Sequence, residues 1–201
     1  MESLLKAELP VTFAAVISNK PDAQGLAIAS GLGVEVAVVD HKLFQDRAAF
    51  DAALAGEIDR HEPDLVILAG FMRVLTDDFV RRYQGRMINI HPALLPSFPG
   101  LHTHRRALEA GVRVHGCTVH YVTPEVDVGP IIIQSAVPVL SDDTEETLSA
   151  RVLEQEHRIY AQAVRWLAEG RLQLRNDGSV AVSGISRQAE ALVSPLPDAI
   201  N

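Results

Sequence analysis

The chain has 201 residues and a mass of 21.8 kDa, about one and a third times a typical ~150-residue domain, so a single domain is expected. Hydrophobic residues make up 47% and charged residues 22%, which fits a packed core and excludes a disordered chain. Eighteen Lys and Arg against 26 Asp and Glu leave a net charge of −8, the wrong sign for a nucleic-acid backbone partner. The single cysteine, Cys117, excludes an internal disulfide, a CxxC motif and a four-cysteine zinc site. The opening Met1-Glu2-Ser3-Leu4-Leu5-Lys6 has no basic stretch followed by an apolar one. No apolar run approaches the ~20 residues that span a bilayer. A soluble, cytoplasmic protein with no membrane or nucleic-acid contact is expected.

Short β-type runs alternate with helical ones. Val11–Ile17, bounded by Pro10 and the turn-like Ser18-Asn19-Lys20-Pro21-Asp22, predicts a buried strand. Ala23–Ser30 predicts a brief helix stopped by Gly31 and Gly33, and Val34–Val39 predicts a second strand. Between Asp46 and His61, Phe50, Ala53, Leu54 and Ile58 form one apolar helical face that Pro63 bars from continuing. Leu65–Ala69 reads as a strand covered on both faces. Thr76-Asp77-Asp78 then opens a helix through Phe79–Tyr83.

Met87–Ile90 predicts a strand running into His91-Pro92, followed by a loop that Pro92, Pro96 and Pro99 enforce and a helix around His104–Ala110. Cys117–Val122 and Ile131–Val139 predict two more strands. Ser141 or Asp142 is expected to cap a long helix, about Glu145 to Ala168, which Gly170 ends. Leu172–Leu174 and Val180–Val182 flank Asp177-Gly178 as a small hairpin. From Ser183 a loose tail is expected, giving a domain over 1–182 and a tail over 183–201. The alternation implies an α/β fold with an open sheet, whose ligands collect at the carboxyl ends of the strands.

Two loops carry chemistry. Period two puts Asn89 and His91 on one side of their strand, where an amide donor and an imidazole suit addition to a carbonyl. Alternatively, Asn89 caps a loop beside a half-exposed histidine. Asp127, in Pro124-Glu125-Val126-Asp127-Val128-Gly129-Pro130, either supports His91 as a carboxylate that favours the imidazolium or bonds turn amides. His102, His104, His115, His120 and Cys117 lack the spacing of a metal motif, so no metal is expected. A Gly-x-Ser-x-Gly elbow and a Walker or dinucleotide loop are also missing.

Taken together, Ile88-Asn89-Ile90-His91-Pro92-Ala93-Leu94-Leu95-Pro96 and Asp127-Val128-Gly129-Pro130-Ile131 resemble the formyltransferase family that uses 10-formyltetrahydrofolate. Ser18–Ala23, Leu68–Leu75, Phe98–His104 and Glu154–Tyr160 point to its glycinamide ribonucleotide branch, as does the 38-residue step from Asn89 to Asp127. The resemblance spans roughly Met1 to Leu174. It implies a Rossmann-like, three-layer α/β fold with a mostly parallel open sheet flanked by helices. It implies formyl transfer from 10-formyltetrahydrofolate, as co-substrate, to glycinamide ribonucleotide, by a monomer or homodimer and without a metal. Asn89, His91 and Asp127 are then the catalytic residues: oxyanion donor, acid–base and its partner. Folate would lie against Arg47, Met72, Arg73, Val74, Leu75, Asn89, Thr123, Pro124, Glu125, Val126 and Asp127. Leu153, Glu154, Gln155 and Glu156 would meet the other substrate.

Ala93 stands where the family often has Ser, and Val128 where it often has a smaller residue; neither removes a catalytic atom. The resemblance also implies a strand and a glycine-rich phosphate loop ahead of the helix that Met1–Ala7 suggests. That would put about 15 native residues upstream of Met1, from typical strand and loop lengths. Without them, Val11–Ile17 and Leu65–Ala69 would each lose a partner unless they paired with each other.

Overall fold

The computed structural model describes residues 1–185 and Ser194. Its elements are α1 Glu2–Lys6, β1 Ala15–Ser18, α2 Gln24–Gly31, β2 Glu35–Val38, a 3-10 turn His41–Leu43, α3 Arg47–Asp59, β3 Val66–Leu68 and α4 Asp77–Arg82. They continue with β4 Met87–His91, α5 Thr103–Glu109, β5 Val114–Tyr121, β6 Ile131–Pro138, α6 Glu145–Ala168, β7 Leu172–Leu174 and β8 Val180–Val182. The fold is α/β, with helices on both faces of a mixed sheet. One ladder runs β3-β4-β5-β6; β3 and β4 are parallel, while β5 is antiparallel to both β4 and β6. β1 and β2 form a separate parallel pair. β1 and β3 do not pair with each other, and each has one strand partner among the described residues. Among the described residues no helix is long and apolar enough to cross a membrane.

Local chemistry explains most boundaries. Asp46 caps α3 by accepting from the Ala49 N–H at 2.8 Å, and Thr76 caps α4. Neither Ser141 nor Asp142 caps α6. Thr144 does, in a reciprocal box in which it accepts from the Thr147 N–H and its own N–H donates to the Thr147 hydroxyl. The neighbouring Asp143 binds Arg151 at 2.7 and 2.8 Å, and that guanidinium holds its carboxyl well below the usual range. The first strand begins four residues later than expected, because only Ala15–Ser18 finds a ladder partner. Conversely, β5 starts at Val114, three residues early, where β6 extends far enough to pair with it. Ser183 and Gly184 are bonded back to Arg171, so the start of the expected tail is tied down. Beyond 185, Ser194 aside, that expectation lies outside the described residues.

The two sheet faces differ in their partners. α6 buries Leu148, Val152, Ile159, Tyr160, Ala163 and Val164 against Ile88, Cys117, Val119 and Tyr121. The Tyr160 hydroxyl reaches the carbonyls of Leu68 (2.7 Å) and Ile88 (3.2 Å), tying β3 to β4. On the opposite face, Phe50 and Leu54 of α3 and Phe79 and Val80 of α4 pack with Met87 and Leu75. Odd-numbered residues of β4 point to this second side.

Candidate active site

Asn89 and His91 project from β4 on the α3/α4 side, as strand alternation requires. Directly across the antiparallel ladder, His120 faces Asn89 and Thr118 faces His91, so all four side chains share one face. Thr118 pins the chain after β4. Its hydroxyl donates to the Ala93 carbonyl at 2.7 Å and accepts from the Leu95 N–H at 3.1 Å. Gln134 adds bonds to the same hydroxyl and to the Leu95 carbonyl, both at 2.9 Å.

Asp127 arrives by an unexpected route. Because β5 runs against β4, its end at Tyr121 lies beside Ile88, away from the carboxyl end of β4. The 122–130 loop doubles back over the sheet face to reach the histidine. Two residues make the turn possible. Asp127 adopts φ +57°, a region that Asp tolerates better than most residues. Gly129 passes so close to Tyr121 that a Cβ there would sit 1.8 Å from its carbonyl oxygen.

The result is a compact polar cluster. His91, 5% exposed, places Nδ1 3.4 Å from Asp127 Oδ2. Its Nε2–H donates to the Phe98 carbonyl at 2.9 Å, so both ring nitrogens face oxygen acceptors. Asp127 Oδ2 also accepts from the Gly100 N–H at 2.8 Å. His120 donates from Nδ1 to the Tyr121 carbonyl at 2.9 Å, which leaves Nε2 as the acceptor for an Asn89 N–H at 3.4 Å. Burial lowers the His120 pKa, in keeping with this neutral tautomer. Behind the cluster, the rings of His104 and His115 meet edge-on at 5.4 Å. Burial pushes His115 down to about 4, with His104 as a second cause, and burial also lowers His104.

The Met72–Leu75 loop leaves β3 next to Asn89, since Leu68 and Asn89 are in register. Met72 and Val74 are exposed while Leu75 anchors the loop in the second core. Arg47, at the start of α3, reaches the Val74 carbonyl at 3.5 Å, and the Arg73 guanidinium lies 5.1 Å over the Phe50 ring. In the 123–127 segment the Thr123 hydroxyl donates to the Glu125 carbonyl, and Pro124, Glu125 and Val126 are exposed. These two segments and Arg47 lie on the same side of the sheet as Asn89 and His91.

Leu153–Glu156 is not brought there. It belongs to α6, on the opposite face, where Gln155 accepts from the Ser135 hydroxyl at 3.2 Å and Glu156 faces the Met1 ammonium. Burial raises the Glu156 pKa. The histidines and Cys117 do not converge either, because Cys117 points into the α6 core while His120 points away from it. Among the described residues, no group of three or more His, Cys, Asp or Glu side chains is arranged to hold a metal.

The sequence reading missed Phe98, Gly100 and His120 as partners of the cluster. Backbone groups leave no trace in composition, so only the third was detectable, through the alternation that places it on the inner face of β5.

Comparison with known proteins adds independent information. Residues 1–164 match the family model described as formyl transferase. The phosphoribosylglycinamide formyltransferase of Escherichia coli K12 is 49% identical over 168 residues, covering 84% of this chain and 79% of the relative. A trifunctional purine biosynthetic protein of Bos taurus is 49% identical over 165 residues, which are 82% of this chain but only 16% of that protein. The crystal structure of glycinamide ribonucleotide transformylase 1 from Symbiobacterium toebii superimposes with a TM-score of 0.86 at 47% identity. That match covers 90% of this chain and 87% of the other.

Proposed function

This chain belongs to the formyl transferase family, and from that premise we propose that it moves the formyl group of 10-formyltetrahydrofolate onto the amine of glycinamide ribonucleotide, a step of purine biosynthesis. The observation that carries the reading is the convergence of Asn89, His91 and Asp127 on one sheet face, beside the exposed Met72–Val74 loop.

In the proposed reaction the amine nitrogen attacks the formyl carbon, and the carbonyl electron pair moves onto oxygen. Asn89 donates to that oxyanion. One of its two N–H bonds is committed to His120, which orients the amide and leaves the second for the reacting oxygen. His91 is the acid–base. Its Nε2 is engaged by Phe98, so the Nδ1 edge shared with Asp127 is the one left to exchange a proton. The 3.4 Å separation there is longer than a strong hydrogen bond and tightens as charge develops. Collapse of the intermediate re-forms the carbonyl and breaks the bond to the folate nitrogen, which takes up the proton given up by the attacking amine, relayed through His91. The backbone of Met72–Leu75 offers edge hydrogen bonds to the folate ring system, with Arg47 and residues 123–127 around it. Leu153–Glu156, on α6 across the sheet, is the segment proposed to meet the glycinamide ribonucleotide away from the reacting atoms. A cytoplasmic setting, small-molecule partners and a monomer or homodimer belong to the same reading.

A steady-state assay with 10-formyltetrahydrofolate, with and without glycinamide ribonucleotide, tests it. Turnover that requires the amine is expected. Turnover without the amine makes the chain a hydrolase, and folate binding without turnover makes it a non-catalytic module.

A further inference from the structure

We propose that Arg106 is a positioning residue: from α5 it fixes the 98–102 turn, which supplies one hydrogen-bond partner each to His91 and Asp127. The inference rests on the formyl-transfer reading above and extends it to a residue that touches neither reacting group.

Three residues of this turn hold left-handed backbone: Phe98 at φ +54°, Gly100 at +78° and His102 at +57°. His tolerates such an angle better than most residues, but Phe keeps one only where surrounding contacts impose it. Arg106 makes those contacts. Its Nη1 donates to the Pro99 carbonyl at 2.5 Å and to the Leu101 carbonyl at 3.4 Å, the two carbonyls that flank Gly100. Its guanidinium also lies 5.6 Å over the Phe98 ring, which meets the His115 ring edge-on at 5.8 Å and packs against the α6 core. The aromatic ring is therefore held by a cation, an imidazole and apolar packing together.

The groups between these anchors face the active site. The Phe98 carbonyl accepts from His91 Nε2, and the Gly100 N–H donates to Asp127 Oδ2. A turn that carries a partner for both members of the pair sets their relative placement. Once Arg106 releases the two carbonyls, the Gly100 peptide is free to rotate away from Asp127. Lysine restores the charge and a nitrogen for the two carbonyls but lacks the planar guanidinium that lies over the Phe98 ring at the same time.

The test compares the wild-type chain with Arg106→Met, Arg106→Lys and Arg105→Met. Methionine keeps an apolar stem over Phe98 and removes every donor. Arg105, one residue earlier on α5, pairs with Glu145 at 3.1 Å and is the control for damage to the helix. Steady-state kinetics for both substrates are read beside NMR of the Gly100 amide and of the His91 imidazole. For Arg106→Met, kcat is expected to fall on the order of tenfold with both KM values within about twofold, as for an interaction felt only in the transition state. Arg106→Lys recovers part of that loss, Arg105→Met keeps wild-type kcat, and the Gly100 amide loses exchange protection only in the Arg106 variants. A kcat unchanged in Arg106→Met, or lost equally in Arg105→Met, overturns the proposal. If Arg106→Met does not fold, Arg106→Lys decides by the same readouts. Should the wild type transfer no formyl group, the functional reading fails and the Gly100 and His91 signals alone decide whether Arg106 holds the turn.

Discussion

Neighbouring residues of β4 serve opposite ends. Ile88 and Ile90 turn toward α6 and join a core in which Cys117, Val119, Leu148, Val152 and Val164 are fully buried. Asn89 and His91 turn the other way, into a cluster whose partners are a carboxylate, an imidazole and two backbone groups. The first side is held by non-directional burial, which tolerates small adjustments. The second depends on distances of about 3 Å between named atoms, where a displacement of ~1 Å removes the interaction. One strand thereby gives a packed core to one face and, in the reading proposed above, chemistry to the other, and substitutions should separate the two.

The largest separation is expected at His91. His91→Ala should lower kcat by ~10²–10⁴ with a stability loss of only ~1–3 kcal/mol from its orphaned buried partners, measured by steady-state assay and thermal melting on the same sample. Asn89→Ala should cost ~10²–10³ in kcat. The double variant should lose far less than the product, because the two groups act on one intermediate. An equal fall in stability would break the contrast between the faces.

The reverse case is Ile88→Ala. It should destabilise by ~2–5 kcal/mol through cavity formation, seen as a lower denaturation midpoint, while the folded fraction keeps its kcat. Gly129→Ala sharpens the comparison by touching the path between the faces. Its new Cβ meets the Tyr121 carbonyl at 1.8 Å, so the loop must move and carry Asp127 with it. A stability cost of ~1–3 kcal/mol together with a clear loss of kcat is expected, both at once, unlike either face alone.

The smallest effect concerns pH. Burial pushes His115 from 6.5 down to about 4, so as pH falls below 6.5 the unfolded chain takes up the proton first. Its contribution to stability is complete above about pH 6.5 and is lost as pH falls toward 4. Urea midpoints across this window should drop for the wild type and drop less for His115→Phe. Parallel curves for the two proteins would show that carboxylates alone set the acid limb.

Much of this molecule was legible in one dimension because its causes are local. A run such as Leu65–Ala69 is apolar on both faces, and period two alone puts Asn89 and His91 on one side of their strand. The reach of α6 followed from apolar spacing and Gly170. Thr144, rather than Ser141 or Asp142, took the cap through its reciprocal pair with Thr147. Other features had no local cause. The first strand was shortened by the extent of its partner. The pairing of His120 with Asn89 required a register between strands 31 residues apart. The return of Asp127 over the sheet depended on β5 running antiparallel, on a left-handed Asp and on the close pass of Gly129. Residue type and spacing determined which elements form and which way each strand turns its side chains, because those follow from backbone geometry within a few residues. The catalytic roles proposed for Asn89, His91 and Asp127 came from the family resemblance. Packing alone decided the distances between them, the backbone atoms of Phe98 and Gly100 that hold them, and the separation of Leu153–Glu156 from the cluster, because each depends on contacts between distant segments.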